Sequence, residues 1–283
     1  MKKLFSALFL SCITMTTFAA PQIIAHRGAT ADAPENTLYA IDKALNNHAD
    51  AIWVTLQLSK DNQVVLYRPS DLTTLTDKAG PVSRYTAGEL AGADAARDYN
   101  QKNNTKINAT IPTLDTVLSR YPDTLFYLDI KSPDAEPAMF ARQLDDVLTR
   151  HQAKQRIRVY STNPDYLTAL PASIPVFESR DTTRNALAGS LITHTCDIST
   201  QAQPRWYGFE LHRKVEIVET FTLGEARSPA ILTWDKTAAD CFRKNGKNSI
   251  ILFGIKTPAD LALATELGAD GVMVDSLLNL KQK

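Results

Sequence analysis

Short runs of β-branched and aromatic residues alternate along this chain with longer stretches whose apolar positions recur every three or four residues. Residues 22–25 form a short apolar strand, after which Pro34-Glu35-Asn36-Thr37 opens a helix with Leu38, Ile41, Ala44 and Leu45 on one face. The strand predicted over residues 51–58 is followed by a second at 64–67, paired with it across the turn Lys60-Asp61-Asn62. From about residue 68 to 110 the chain is polar and reads as an insertion with little core of its own. Beyond it, helix 113–120 leads into strand 124–130, and helix 138–151 into strand 157–161. Residues 176–179, 250–255 and 271–275 are further strands, with helix 258–267 between the last two. Three segments, 206–211, 215–221 and 230–234, also read as strands, which is more than a regular repeat needs. A hairpin inserted near the sixth repeat absorbs the surplus.

Strands alternating with helices predict an α/β fold: a doubly wound sheet or a (β/α)8 TIM barrel. No linker, repeat or low-complexity run divides the chain, so residues 20–283 are expected to form a single domain. A length of 283 residues with 44% apolar positions is ample for one large core. Lys and Arg together number 31, as do Asp and Glu, and no block of like charge stands out. That balance excludes a nucleic-acid partner held by a broad basic surface and excludes an acidic disordered tail.

The first nineteen residues have the layout of a secretory leader: Lys2 and Lys3, then the apolar run 4–13, then Thr17-Phe18-Ala19. Cleavage is expected after Ala19, with export to the periplasm or beyond. The apolar run is short of the roughly 20 residues that span a bilayer, so the chain is not expected to be membrane-spanning. After cleavage two cysteines remain, Cys196 and Cys241. An oxidising compartment permits one disulfide closing a loop of about 45 residues, while two separate buried thiols are the other reading.

The residues that follow the strands carry a resemblance. His26-Arg27-Gly28 closes the first strand, with Pro34-Glu35-Asn36-Thr37 starting eight residues after the histidine. Ala49-Asp50-Ala51-Ile52, Ser59-Lys60-Asp61, Gly80-Pro81-Val82, Glu89-Leu90, Ile111-Pro112-Thr113-Leu114, Leu128-Asp129-Ile130-Lys131 and Gly268-Ala269-Asp270-Gly271 with Asp275 follow in order. In order and spacing this resembles the glycerophosphodiester phosphodiesterase family over nearly all of residues 20–283. The resemblance implies a (β/α)8 barrel of the phospholipase C-like type, an insertion after the second strand, and phosphoric diester hydrolysis in lipid metabolism.

Phosphodiester cleavage needs charge neutralised on the phosphoryl oxygens, a proton for the leaving alkoxide, and a deprotonated nucleophile. The family is expected to supply two histidines and a divalent cation, Ca²⁺ or Mg²⁺, held by carboxylates. On this resemblance His26 is the first acid/base and Arg27 the phosphate-binding arginine. Asp129 stands at the third metal-ligand position, with Lys131 beside it. The chain departs from the pattern elsewhere: the paired carboxylates of the second strand are replaced by Trp53 and Thr55, and the His-Asp pair after it by Tyr67-Arg68. Trp53 is either core or part of a recognition surface, and Tyr67 is a poor base with a phenol pKa near 10.

The site therefore reads as degenerate, with no cofactor expected. Arg27, Arg68 and Lys131 are the expected cations for a small glycerophosphodiester or phosphate-ester ligand. Metal-dependent hydrolysis is expected to be lost or altered. A metal-independent phosphoric diester hydrolase is the alternative. So is a non-catalytic interaction protein using aromatics of a 206–222 hairpin, Trp206, Tyr207, Phe209 and Phe221, although packing against the barrel is the plainer role for those rings. No protein partner is identified by the sequence.

Overall fold

The computed structural model describes residues 19–198, 204–244 and 248–281. Nearly all of the predicted leader, residues 1–18, lies outside them. Ten strands run in chain order: β1 Gln22–His26, β2 Ala51–Leu58, β3 Val64–Leu66, β4 Leu125–Ile130, β5 Ile157–Ser161, β6 Trp206–Glu210, β7 His212–Phe221, β8 Gly224–Thr233, β9 Ser249–Ile255 and β10 Gly271–Val274. Ten α-helices are interspersed: α1 Leu38–Asn46, α2 Ala87–Leu90, α3 Arg97–Asn103, α4 Leu114–Arg120, α5 Pro137–Arg150, α6 Pro164–Ala169, α7 Arg180–Ala188, α8 Lys236–Phe242, α9 Pro258–Glu266 and α10 Leu278–Lys281.

The main sheet runs β5-β4-β2-β1-β10-β9-β6, with every neighbouring pair parallel. Two single bridges, Val159 to Val176 and Phe177 to Trp206, join β5 to β6 through residues 176–177. Backbone hydrogen bonds from Phe177 to Val159 (2.8 Å) and from Glu178 to Trp206 (2.8 Å) complete the ring. Eight staves thus close a barrel, which leaves the parallel sheet without an open edge. The predicted strand at 176–179 is reduced to this bridge because Ser179 already caps α7, its side chain accepting from Thr182 N.

Two apolar layers hold the barrel. Outward-facing Ile52, Val54, Leu128, Val159 and Leu252 belong to one buried cluster with Ile41 of α1, Val117 of α4, Leu144 of α5 and Ala264 of α9. Inside, Ile24, Trp53, Tyr127, Tyr160, Phe177 and Phe253 fill the bore. Alternation along β2 sends residue 53 inward and 52 and 54 outward, as a pleated strand requires.

Two expectations from the sequence are corrected. The insertion has a core: Val65, Tyr67, Leu72, Val82, Leu90 and Ile111 pack together. Its apolar residues are spaced without helical or strand periodicity, so the pattern concealed them. The surplus strands also sort differently. Residues 206–210 are a barrel strand, and the hairpin is β7–β8, ten residue pairs in antiparallel register and a separate two-stranded sheet. Tyr207 and Phe209 are buried in the barrel wall as the plainer reading had it, but Phe221 stands 58% exposed near the hairpin turn. A disulfide joins Cys196, past the end of α7, to Cys241 on α8, with Cα atoms 5.7 Å apart. Among the described residues no helix is long and apolar enough to cross a membrane.

Candidate active site

The mouth of the barrel is built on an unusual turn after β1. Arg27, Gly28 and Ala29 take consecutive positive φ angles of 53°, 82° and 70°. Gly28 is required twice over, because a Cβ there would lie 2.6 Å from Cβ of Ala40 on α1. The turn is held from three directions. Asn36 N donates to Arg27 O at 2.8 Å, and Ala31 N donates to Asp275 O at 2.9 Å. The buried carboxylate of Asp32 accepts from Ser276 Oγ and Leu277 N, both at 2.7 Å. The first and last strands are thereby bolted together where His26 and Asp275 stand.

His26 Nδ1 and Asp275 Oδ1 are 2.6 Å apart, and Arg27 Nε donates to His26 Nε2 at 3.1 Å. A guanidinium N–H is always a donor, so Nε2 accepts and the ring hydrogen resides on Nδ1, pointing at Asp275. The hydrogen bond from His26 holds the Asp275 carboxyl below its ordinary range against the opposing effect of burial. Arg27 spends a second donor on Glu35, with Nη1 to Oε2 at 2.6 Å. Glu35 and Arg27 are both largely buried.

Across β2, Lys131 Nζ donates to Asp129 Oδ1 at 2.9 Å and to Thr162 Oγ1 at 3.2 Å. Burial pushes the Asp129 carboxyl above the usual range, the Lys131 ammonium opposing it. Between these two clusters lies the strand whose carboxylates the family pattern calls for. Trp53 pairs in register with His26 on one side, and Thr55 with Asp129 on the other. Trp53 is 2% exposed. Its ring lies against Tyr160 and Phe253 with centroids 5.3 and 5.2 Å apart, and against Tyr127 and Phe177 at 5.9 Å. Of the two readings of Trp53, the structure selects core.

A divalent cation does not fit this set of residues. Among the described residues no three His, Cys, Asp or Glu side chains are placed to hold a metal ion. An indole fills the space where one carboxylate would reach, Thr55 offers a neutral hydroxyl, and Asp129 is committed to Lys131. The buried polar atoms left without hydrogen bonds here, Glu35 Oε1, Asn36 Nδ2 and Trp53 Nε1, are one acceptor and two donors, not a ligand shell. Of the other two departures, Tyr67 is occupied structurally and Arg68 is not. Tyr67 belongs to the insertion core, its hydroxyl shared between Asp71 O (3.1 Å) and Leu72 O (3.2 Å), and burial pushes its phenol above the ordinary value. Arg68 is exposed and has no ion-pair partner among the described residues, so it is not drawn in with His26, Arg27, Asp129 and Lys131.

Three functional groups escaped the sequence reading. Lys131 lies 5.5 Å over the Tyr160 ring, Tyr160 Oη accepts from Arg180 Nη1 at 3.3 Å, and Arg180 grips both oxygens of Glu210 at 2.7 and 2.8 Å. The signal was available, since Arg180 directly follows the predicted strand 176–179 and Glu210 lies at the end of the predicted strand 206–211, where barrel chemistry sits. The mouth consequently holds cations and carboxylates as ion pairs on both sides of Trp53. The arrangement can take or give a proton at His26 and can offer the unused donors of Arg27 and Lys131 to an oxyanion.

Comparison with known proteins agrees with the motifs. The sequence pattern of the glycerophosphoryl diester phosphodiesterase family matches residues 26–278. The Mycobacterium tuberculosis protein Rv2277c is 41% identical over 272 residues, covering 93% of this chain and 89% of that protein. The crystal structure of its glycerophosphoryl diester phosphodiesterase domain superposes with a TM-score of 0.81 at 39% identity, over 92% of this chain and 97% of that domain. More distant is the glycerophosphodiester phosphodiesterase of Agrobacterium tumefaciens, with a TM-score of 0.66 at 18% identity, over 92% and 98% of the two chains. An Oleispira antarctica phosphodiesterase has a TM-score of 0.60 at 20% identity, over 93% and 96%. These two show the same fold, the TIM barrel. The chain belongs to the glycerophosphoryl diester phosphodiesterase family.

Proposed function

We propose that this protein is an exported family member that binds a glycerophosphodiester or phosphate-ester ligand at the barrel mouth, with metal-dependent hydrolysis lost. The observation that carries the reading is Trp53, an aromatic core residue where the family places a cation ligand. The Oleispira relative was solved in complex with its product, sn-glycerol-3-phosphate, which makes that compound the natural probe. Binding works by exchange: the phosphate takes donors of Arg27 and Lys131 that Glu35 and Asp129 share at present. Because each cation is already partly neutralised, affinity rests on geometry more than on net charge.

A second reading, a metal-independent phosphoric diester hydrolase, is favoured by one specific observation. His26 is oriented by Asp275 in the way a general base is held, with its other nitrogen bonded to a displaceable arginine. One assay separates the two. Purified protein is incubated with glycerophosphocholine in EDTA, in Ca²⁺ and in Mg²⁺, beside a thermal-shift titration with sn-glycerol-3-phosphate. The binding reading expects no turnover in any condition and a saturable rise in Tm that Arg27→Ala removes. Turnover in EDTA that His26→Ala abolishes establishes the second reading. Turnover only with Ca²⁺ or Mg²⁺ refutes both.

A further inference from the structure

The β7–β8 hairpin leaves the barrel directly after β6, from the end of the barrel that carries the site, and stands clear of it. Almost every residue of both strands is exposed. The ten cross-strand pairs run without a bulge, so its two faces are defined by register. One face is the more charged, although Val218 and Ile231 are also exposed on it: Arg227 pairs with Glu216 at 2.6 Å and with Glu225 at 2.9 Å. The other presents Val215, Ile217 and Phe221 with Ala226 and Ala230, while Leu232 at its foot is already buried. Ile217 is 42% and Phe221 58% exposed, and Leu223 in the turn is fully exposed.

A two-stranded ribbon with no covering layer is marginal in water. Ten residues per strand give a patch about 33 Å long and about 10 Å wide. We propose that the apolar face is covered by the same face of a second copy of this chain, the two ribbons stacking antiparallel about a two-fold axis. Charge selects this partner and this register. Arg213 and Glu219 are the charged residues on the apolar face, and they lie near its two ends. An antiparallel two-fold that sets Arg213 of each copy against Glu219 of the other also sets Ile217 against the second copy's Val215, and Ala230 against its Ser228. Phe221 then reaches the foot of the other hairpin. Glu219 has no ion-pair partner among the described residues, whereas Arg213, 47% exposed, keeps donors free beyond its 3.2 Å contact with Glu210. Stacked over their exposed length, the ribbons bury on the order of 700–1,000 Å² in total, the size of a weak, concentration-dependent interface. Pro229 interrupts the edge of β8, which favours face-to-face stacking over edge pairing.

The test uses the whole chain, purified with its disulfide formed, in sedimentation equilibrium and light scattering from about 1 to 200 μM. A dimer is expected, with Ile217→Glu monomeric throughout. Glu219→Arg and Arg213→Glu should each raise the dimer Kd about ten-fold, since every dimer contains the contact twice. The double variant carrying both reversals should return to the parental Kd. Near-ultraviolet circular dichroism matching the parent shows that each variant is folded. A parent monomeric at every concentration overturns the proposal, as does a dimer indifferent to Ile217→Glu, or a double variant no tighter than the singles. A monomer that sediments with phosphatidylcholine vesicles and is released by Leu223→Glu overturns it too, assigning the apolar tip to a lipid surface.

Discussion

Replacing Trp53 by glutamate reinstates the residue type the family places there and tests whether this barrel has room for it. The ring is 2% exposed and wedged among four aromatic neighbours whose centroids lie 5.2–5.9 Å away. Trp53→Glu removes on the order of 90 Å³ of side chain from walls made of strand backbone, so the site collapses little; at ~24 cal/mol per Å³ the void costs about 2 kcal/mol. Lost ring–ring contacts add about 1 kcal/mol. A carboxyl without a good donor among Tyr127, Phe177 and Phe253 adds about 1–3 kcal/mol. The total, roughly 4–6 kcal/mol, lowers Tm by about 10–20 °C for a domain of this size. The pH dependence identifies the cause. Burial raises the folded-state pKa of the new glutamate above its unfolded value near 4.3, so the folded state holds its proton longer. Relative to the parent, the variant is least destabilised below about pH 4 and loses stability as pH rises, by about 1.4 kcal/mol per unit, until the folded pKa is passed. The assay is a thermal melt followed by circular dichroism from pH 4 to 8, with and without millimolar Ca²⁺, on Trp53→Glu and on Trp53→Glu with Thr55→Asp. A single variant melting within about 3 °C of the parent, or a saturable Ca²⁺-dependent gain in Tm for the double, refutes the account of a site closed to metal by packing.

Gly28→Ala is expected to destabilise by at least about 2 kcal/mol and to blunt ligand-induced thermal shifts, because the turn that aims His26 and Arg27 has positive φ and a Cβ meets Ala40 at 2.6 Å; urea denaturation reads the first and differential scanning fluorimetry the second. Reduction of the Cys196–Cys241 bridge, whose sequence separation is 45, should lower stability by about 2–4 kcal/mol; the unreduced, denatured protein should show no free thiol from this pair with Ellman's reagent. Asp275, held below its ordinary range by His26, contributes stability present above the unfolded value near 3.8 and lost as pH falls through the lower folded value. Its side chain is 47% exposed, so the contribution is well under 1 kcal/mol after solvent screening; a urea midpoint that falls no more steeply for the parent than for Asp275→Asn between pH 5 and 2.5 counts against it.

Strand order and site diverge in how far the sequence alone carries them. Periodicity placed β1, β2, β4, β5, β9 and β10 with α1, α4, α5 and α9, because strands buried on both faces read as short apolar runs and helices that bury one face leave a regular apolar stripe; α6, α7 and α8 were not read. Motif spacing put His26, Arg27, Asp129 and Lys131 at strand ends, since βα connections are short and the residue after a strand is fixed at the mouth. What the pattern could not disclose is which oppositely charged groups meet. His26 joins Asp275, 249 residues away, only because the first and last strands meet; Arg180 joins Glu210 only because their segments become neighbours in the wall; and Arg27 joins Glu35 through the turn between β1 and α1. Closure likewise decided that Trp53 is core, because only the assembled bore brings Tyr160, Phe177 and Phe253 around it. The insertion's small core and the free-standing hairpin were hidden for the opposite reasons. In the insertion, irregular backbone buries apolar residues without periodicity. In the hairpin, alternation of apolar and charged residues looks the same whether the apolar face meets the barrel or stands away from it. Sequence sets which side of an element is apolar; the tertiary structure alone determines what that side faces.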